Sequence, residues 1–259
     1  MSATADPTSV SPAHARQVTF RPPRLVVMTA SRGAAAPSDI VVVTAVKALD
    51  AAKSRFAAPG ERRRDSVPGL VLAMLRDVLA AALAGEAVVT AYVVSPDPAV
   101  RRAAAEAGAR TLAEPVPGGL NAALTAGANA ARADLGDVAV LALQPDLPGL
   151  TVDELGAFLA AAAGRRAFVP DHAGTGTAAL YCPPGLALRP EFGEHSAAAH
   201  ESGGALRLAG PWPGLRTDID TPSDLEVAPA MGAHTAAALS ATVRAVTSNS
   251  STRCARMGQ

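Results

Sequence analysis

Little in this sequence points to function by abundance. Across 259 residues there are two cysteines, Cys182 and Cys254, and their spacing fits no zinc or redox motif. That argues against a disulfide framework and suits a reducing cytoplasm. Aromatic residues make up 3% and charged residues 18%, with 23 cations set against 23 anions. Balanced charge gives no electrostatic reason to expect nucleic acid or an anionic membrane as partner. Any anion site has to come from a few local cations. No apolar run approaches the roughly 18 residues of a spanning helix. Residues 1–24 mix Asp6, His14, Arg16 and several prolines without a continuous apolar segment, unlike a signal peptide. A cytoplasmic protein is the expectation, and a homodimer is compatible with the sequence.

What is present is core material. Hydrophobic residues make up 49%, enough for one large domain or two small ones. Residues 1–38 are rich in Pro, Ser, Thr and Ala and lack any period, which reads as a disordered extension. Met28 is a candidate natural start, because regular patterning begins only near Ile40. Residues 39–231 carry the patterned domain, and residues 232–259 read as a frayed helix followed by a disordered tail.

Within the domain, apolar β-rich runs alternate with helical periods. Strands are expected at Ile40–Val43, Val88–Val94, Arg110–Leu112, Val138–Leu143, Phe168–Val169 and Ala178–Tyr181. Helices are expected from Leu70 to Leu83, over Ala99–Ala107 and over Asn121–Arg132. Another begins at Thr151, with Glu154 in capping-box position. The alternation implies an α/β fold, a mostly parallel central sheet with helices on both faces. Ligands of such sheets bind outside the carboxyl ends of the strands. The loops there are Thr44–Arg55, Ser95–Asp97 and Gln144–Pro148.

Five segments carry chemistry. Lys47, Lys53 and Arg55 follow the first strand and form a phosphate-binding candidate. No Gly-Lys-[Ser/Thr] is present, so this is not a Walker A loop. Asp146 emerges after the third long apolar strand between Pro145 and Pro148, where a carboxylate can hold Mg²⁺. Asp218 and Asp220 alternate, so in extended chain they face the same way and make a metal half-site. Thr221-Pro222 then looks like a helix N-cap and first turn. Small and hydroxyl residues in Gly174–Thr177 and Phe192–Ser196 would let an anion approach backbone N–H groups. Asn121, after Gly118-Gly119-Leu120, reads as an N-cap or as a contact to a nucleobase or ribose. His172, His195 and His200 read as loop or surface residues, since no Cys-His or Ser-His-Asp set is apparent.

Taken in order, these segments resemble the guanylyltransferases that make the activated phospho-acid precursor of the deazaflavin coenzyme F-420. The matching pieces are Val46-Lys47 with Ala52–Arg55, Gly119–Ala123, Leu143–Pro148, Gly174–Ala178, Phe192–Ser196 and Trp212–Pro222. The resemblance spans about Ile40 to Leu225. It implies a Rossmann-like nucleotidyltransferase fold with a mixed sheet. It also implies guanylyl transfer from GTP to phosphoenolpyruvate or 2-phospho-L-lactate, with release of pyrophosphate. In that frame Asp146, Asp218 and Asp220 match the metal carboxylates and would hold Mg²⁺. Thr177, Gly193 and Ser196 match the phospho-acid contacts. Lys47, Lys53 and Arg55, with Gly119 and Asn121, fall on the nucleotide side, Lys47 also counting as catalytic. Pro145 stands where relatives often have glycine, and Glu194-His195 alters the charge before Ser196. The residues themselves leave other readings open. A related nucleotidyltransferase acting on molybdopterin or a sugar phosphate, a glycosyltransferase, or a non-catalytic nucleotide-binding protein would share much of this pattern.

Overall fold

The computed structural model describes residues 39–50, 67–114 and 118–242. The expected N-terminal extension, Met28, Lys53, Arg55 and the tail beyond residue 242 lie outside the described residues.

The sheet is built from β1 (Ile40–Ala45), β2 (Val88–Val94), β3 (Arg110–Leu112), β4 (Ala139–Leu143), β5 (Ala167–Pro170), β6 (Thr177–Cys182) and β7 (Leu206–Arg207). Their order across the sheet is β3-β2-β1-β4-β6-β5-β7. Every pairing is parallel except those of β6 with β4 and β5, so β6 alone runs against the rest. This is the mostly parallel, mixed sheet that the alternating pattern and the family resemblance imply.

β1 and β4 are buried along their whole length. They need to be, because both faces of the sheet are covered. Ile40, Val42, Leu141 and Leu143 face α1 (Val67–Leu83), whose Leu70, Val71, Met74, Leu75, Val78 and Leu79 recur at helical spacing. Alternate residues Val41, Val43, Val140 and Ala142 face α3 (Gly119–Leu135) through Leu124 and Ala128. Gly127 brings α3 close to the sheet. A Cβ there would stand 2.6 Å from Val43 Cγ1 and 2.9 Å from Val94 Cγ2.

The remaining helices are α2 (Pro98–Glu106), α4 (Val152–Ala162), α5 (Ser196–Ser202), α6 (Pro213–Arg216) and α7 (Asp224–Val227). The helix starts differ in part from the sequence reading, because other contacts take the expected capping groups. α3 begins two residues before Asn121, with Gly118 as N-cap, so Asn121 is not the cap. Thr151 does cap α4 by accepting from the Glu154 N–H, but the Glu154 carboxylate does not turn back to close a capping box. It accepts instead from the Gly214 N–H at 2.9 Å, tying α4 to α6. Thr221 does not cap a helix. The Asp224 carboxylate accepts from the N–H groups of Asp220 and Thr221, and the short α7 starts after Ser223. β7 was not expected. It is two residues long and pairs with β5 alone.

A further helix covers 233–242. It is not frayed at its start. The buried Asp77 of α1 accepts from the N–H groups of His234 and Thr235 at 3.1 and 2.8 Å. Its leading residues are therefore pinned to the domain that the sequence pattern had ended at residue 231. No described helix is long and apolar enough to cross a membrane.

Candidate active site

The parallel strands β1, β2, β4 and β5 all end at one edge of the sheet, and the antiparallel β6 begins there. Its first residue, Thr177, pairs with Pro170 at the end of β5. β4 runs out into Gln144-Pro145-Asp146 beside it. The Gln144 N–H donates to the Ala178 carbonyl at 3.0 Å. Strand direction thus sets the loop that carries Asp146 beside the start of β6.

The segment Thr217–Asp220 crosses this edge as extended chain. The Ile219 N–H donates to the Asp146 carbonyl at 3.0 Å. Ile219 is buried in the main core, while Asp218 and Asp220 alternate to its other side. Asp218 is half-buried and Asp220 exposed. The Asp218 carboxyl is pushed up from its ordinary 3.8 to about 6, first by burial and then by the negative charges of Asp146, Asp220 and Asp171. Only one cationic candidate reaches it in the described structure: His172 Nδ1 lies 3.5 Å from Asp218 Oδ1. The three aspartates expected to act together are therefore neighbours, and the charges of Asp146 and Asp220 add to the burial that raises Asp218. They do not yet form a cage. No three His, Cys, Asp or Glu side chains among the described residues close on one point that a metal would fill.

The other wall is neutral and tightly bonded. Thr177, Ser196 and His200 are all buried, at 4%, 1% and 3% exposure. The Thr177 hydroxyl lies 2.9 Å from His200 Nδ1. The Glu191 N–H donates to His200 Nε2 at 2.9 Å. Gly193 sits at φ 141°, a backbone conformation that side chains disfavour, and its carbonyl accepts from the Ser196 N–H. Asn121 reaches from α3 to grip the same loop. Its amide oxygen accepts from the Phe192 N–H at 2.8 Å, and its amide nitrogen donates to the Phe192 carbonyl at 3.0 Å. The carboxamide is thus engaged by backbone on both sides, and its structural work is to hold the loop that carries Gly193.

The turn at 171–176 corrects one expectation. The N–H groups of Thr175 and Gly176 were to receive an anion from outside. They donate instead to the Asp171 carboxylate at 3.0 and 2.9 Å, and the Gly174 N–H donates to the Asp171 carbonyl. Arg216 locks the turn from α6, donating to the Pro170 and Asp171 carbonyls. Asp171 was not singled out by sequence, and His172 was read as a loop or surface residue. Asp171 follows β5 directly, as Asp146 follows β4, and that parallel is the signal that could have found it. His200 also corrects the sequence reading, because it is no surface residue. Ser196, Ala197 and His200 lie at positions i, i+1 and i+4 of α5, so all three turn inward.

On the nucleotide side, Lys47 is exposed just beyond the end of β1, the strand next to β4. The loop it opens is held by Asp97. One carboxylate oxygen of Asp97 accepts from the Leu49 N–H at 3.0 Å while the other caps α2 at Ala99. The Leu49 bond, more than any other contact, holds the Asp97 carboxyl below its ordinary value. The Ser95–Asp97 loop therefore serves the fold. Gly119 opens α3, two residues before Asn121.

A phosphoenolpyruvate guanylyltransferase of Rhodococcus opacus (strain B4) is 48% identical over 219 residues, covering 79% of this chain and 90% of that protein. The chain belongs to the phosphoenolpyruvate guanylyltransferase family. A second member, from Mycobacterium leprae (strain TN), is 46% identical over 201 residues, 75% of this chain and 90% of that protein. Residues 72–211 match the MobA-like NTP transferase domain. Among solved structures, a chain assigned as a nucleotide-diphospho-sugar transferase from Desulfovibrio desulfuricans G20 superposes with a TM-score of 0.54 at 18% identity, covering 73% of this chain and 86% of that one. That likeness supports the fold. This guanylyltransferase-family chain is accordingly a nucleotidyltransferase, a class that generally uses a divalent metal. Its acidic cluster fits such an ion in kind: hard carboxylate oxygens on two adjoining segments, with the charge of Asp218 disfavoured by burial and by its acidic neighbours.

Proposed function

We propose that this protein transfers GMP from GTP to phosphoenolpyruvate, releasing pyrophosphate, as a step toward coenzyme F-420, with Mg²⁺ as its metal. The observation that carries the reading is the adjacency of two unlike walls at one sheet edge. Asp146, Asp218 and Asp220 make an acidic wall. Thr177 and Ser196, both buried, and the exposed Gly193 make a neutral, hydrogen-bonding wall beside it.

In this reading the phosphate oxygen of the acceptor attacks the α-phosphorus of GTP in line. A new P–O bond forms, the bond from the α-phosphorus to the α,β-bridging oxygen breaks, and pyrophosphate leaves with that electron pair. The acceptor phosphate is already ionised near neutral pH, so no side chain has to remove a proton. That agrees with the absence of a catalytic triad among the described residues. The protein's task is to hold several anions in line and to offset their charge.

Asp146, Asp218 and Asp220 would hold the metal, which when bound neutralises phosphate charge and fixes the α-phosphate. Mg²⁺ commonly takes only one or two carboxylates and fills its other positions with phosphate oxygens and water. An acidic cluster that is close but not closed suits that habit, since GTP itself would complete the site. Lys47, Lys53 and Arg55 would meet the triphosphate. Gly119 would let the nucleotide approach the start of α3, and Asn121 would act there through the loop it clamps. Thr177, Gly193 and Ser196 would orient the phospho-acid.

The test is a pyrophosphate-release assay crossing GTP, ATP and CTP with phosphoenolpyruvate, 2-phospho-L-lactate and 3-phosphoglycerate. Release should be fastest with GTP and phosphoenolpyruvate and should require a divalent cation. Release with a molybdopterin or sugar-phosphate acceptor but none with any of the three acids would overturn the reading.

A further inference from the structure

We infer that His200 is a positioning residue of the acceptor site, directing the single hydroxyl hydrogen of Thr177 toward the phospho-acid and bracing the loop that carries Gly193. The inference rests on the acceptor being bound at Thr177, Gly193 and Ser196.

The tautomer follows from bonding. Nε2 of His200 faces the Glu191 N–H at 2.9 Å, and a backbone N–H can only donate. Nε2 must therefore be bare, which leaves the proton of the neutral ring on Nδ1. Nδ1 lies 2.9 Å from Thr177 Oγ1, so the ring donates and the hydroxyl accepts. Thr177 has one hydroxyl hydrogen, and it can no longer point at His200. It is left for another acceptor at this edge of the sheet, where Thr177 begins β6 beside the Asp146 loop. An anionic oxygen of the phospho-acid is such an acceptor.

The ring is also fixed in place. It is buried, with the Phe168 ring centroid at 5.8 Å and the Phe192 ring centroid at 5.2 Å, the latter edge-on. Burial holds the imidazole below its usual pKa, against the pull of the Glu191 charge, so the neutral form persists near neutral pH. A fixed, neutral ring is what a one-way hydrogen-bond relay requires. His200 and Asn121 together secure consecutive backbone N–H groups, those of Glu191 and Phe192, immediately before Gly193. The Ala197 N–H, one residue past Ser196, donates to the Thr175 carbonyl. Three parts of the neutral wall thus meet around one imidazole.

Three variants of the full-length protein separate the two bonds of the ring. His200→Phe keeps the packing and removes both. His200→Asn places an amide N–H near the position of Nδ1 and can restore the bond to Thr177. His200→Gln reaches as far as Nε2 and can restore the bond to Glu191. KM values for phosphoenolpyruvate and for GTP are read separately from pyrophosphate release. His200→Phe is expected to raise the phosphoenolpyruvate KM about ten-fold, the scale of one lost hydrogen bond, while the GTP KM stays within about two-fold. His200→Asn should recover more of that loss than His200→Gln. In a Thr177→Val background, His200→Phe should add little, because the relay is already cut.

A folded His200→Phe protein with an unchanged phosphoenolpyruvate KM would overturn the inference, as would an equal rise in both KM values. If His200→Phe does not fold, equal phosphoenolpyruvate KM values in His200→Asn and His200→Gln would overturn it. Thr177→Val and Ser196→Ala keep the two levels apart. If neither raises the phosphoenolpyruvate KM, the acceptor-site reading itself falls. If they do and the His200 variants do not, only the role of His200 falls.

Discussion

The two walls of the site solve opposite problems. The acidic wall gathers like charges: burial first, and then the nearby charges of Asp146, Asp220 and Asp171, push the Asp218 carboxyl up from 3.8 to about 6. The neutral wall gathers bonded groups: Thr177 to His200, His200 to Glu191, Phe192 to Asn121 and Gly193 to Ser196. One wall concentrates negative charge of the kind a cation offsets. The other is satisfied before any ligand arrives and spends its remaining donors on the ligand. The contrast teaches where each kind of residue acts. Charge that must be offset sits on the Asp146 loop and the Thr217–Asp220 segment, and the groups that orient a ligand sit on β6 and α5.

The comparison breaks most visibly on the acidic side. Asp146→Asn or Asp220→Asn should lower kcat by about 10²–10³-fold or more, the scale of removing one preorganised electrostatic contact. The circular dichroism spectrum should be unchanged, and near-wild-type turnover in either variant would remove that aspartate from the metal site. A packing change far from both walls gives the contrasting result. Gly127→Ala places a methyl group where Val43 and Val94 already stand and should cost about 1–3 kcal/mol by chemical denaturation. Both KM values should be untouched at temperatures where the protein is folded. On the neutral side, Thr177→Val should raise the phosphoenolpyruvate KM about ten-fold, as one hydrogen bond to an anion is lost, with the GTP KM little changed.

The smallest effect sharpens the contrast through pH. Folded Asp218 binds its proton more tightly than it does unfolded, so ionisation costs stability above about pH 6. That cost is relieved as the pH falls through 6 and is absent below the ordinary value of 3.8. Asp218→Asn should therefore raise the melting temperature of the metal-free protein at pH 8 and make no difference near pH 4. Saturating divalent cation should reverse the sign at pH 8, because only the carboxylate gains from the ion. A melting-temperature gain that is the same at both pH values would contradict the charge account.

Much of the frame was legible in sequence. β2 begins and ends where its β-branched run does, because a strand inside the sheet shows as a largely apolar run, and the exposed edge strand β3 was placed as the short stretch after the Gly108 turn. The three aspartates and Lys47 were legible because strand ends and residue alternation place them. The neutral wall was only partly so. Thr177, Gly193 and Ser196 came from family likeness, and the structure puts them on one wall. His200 was not legible as a buried residue, since α5 has only seven residues and shows too little period. Glu154 and Asn121 carried local signals for caps that the structure does not use, because each side chain was claimed by backbone 60 or 71 residues away. Asp171 looked like any turn residue, although its carboxylate closes the 171–176 turn on itself. Local pattern cannot show which donor wins when a distant one fits better.

The most direct test of the two-wall account is the rate of pyrophosphate release from GTP, titrated with phosphoenolpyruvate and separately with Mg²⁺, in Asp220→Glu and Thr177→Val. The account predicts that Asp220→Glu shifts the Mg²⁺ requirement with little change in the phosphoenolpyruvate KM, and that Thr177→Val does the reverse. If both variants shift both titrations equally, the two walls do not divide the work and the account is wrong.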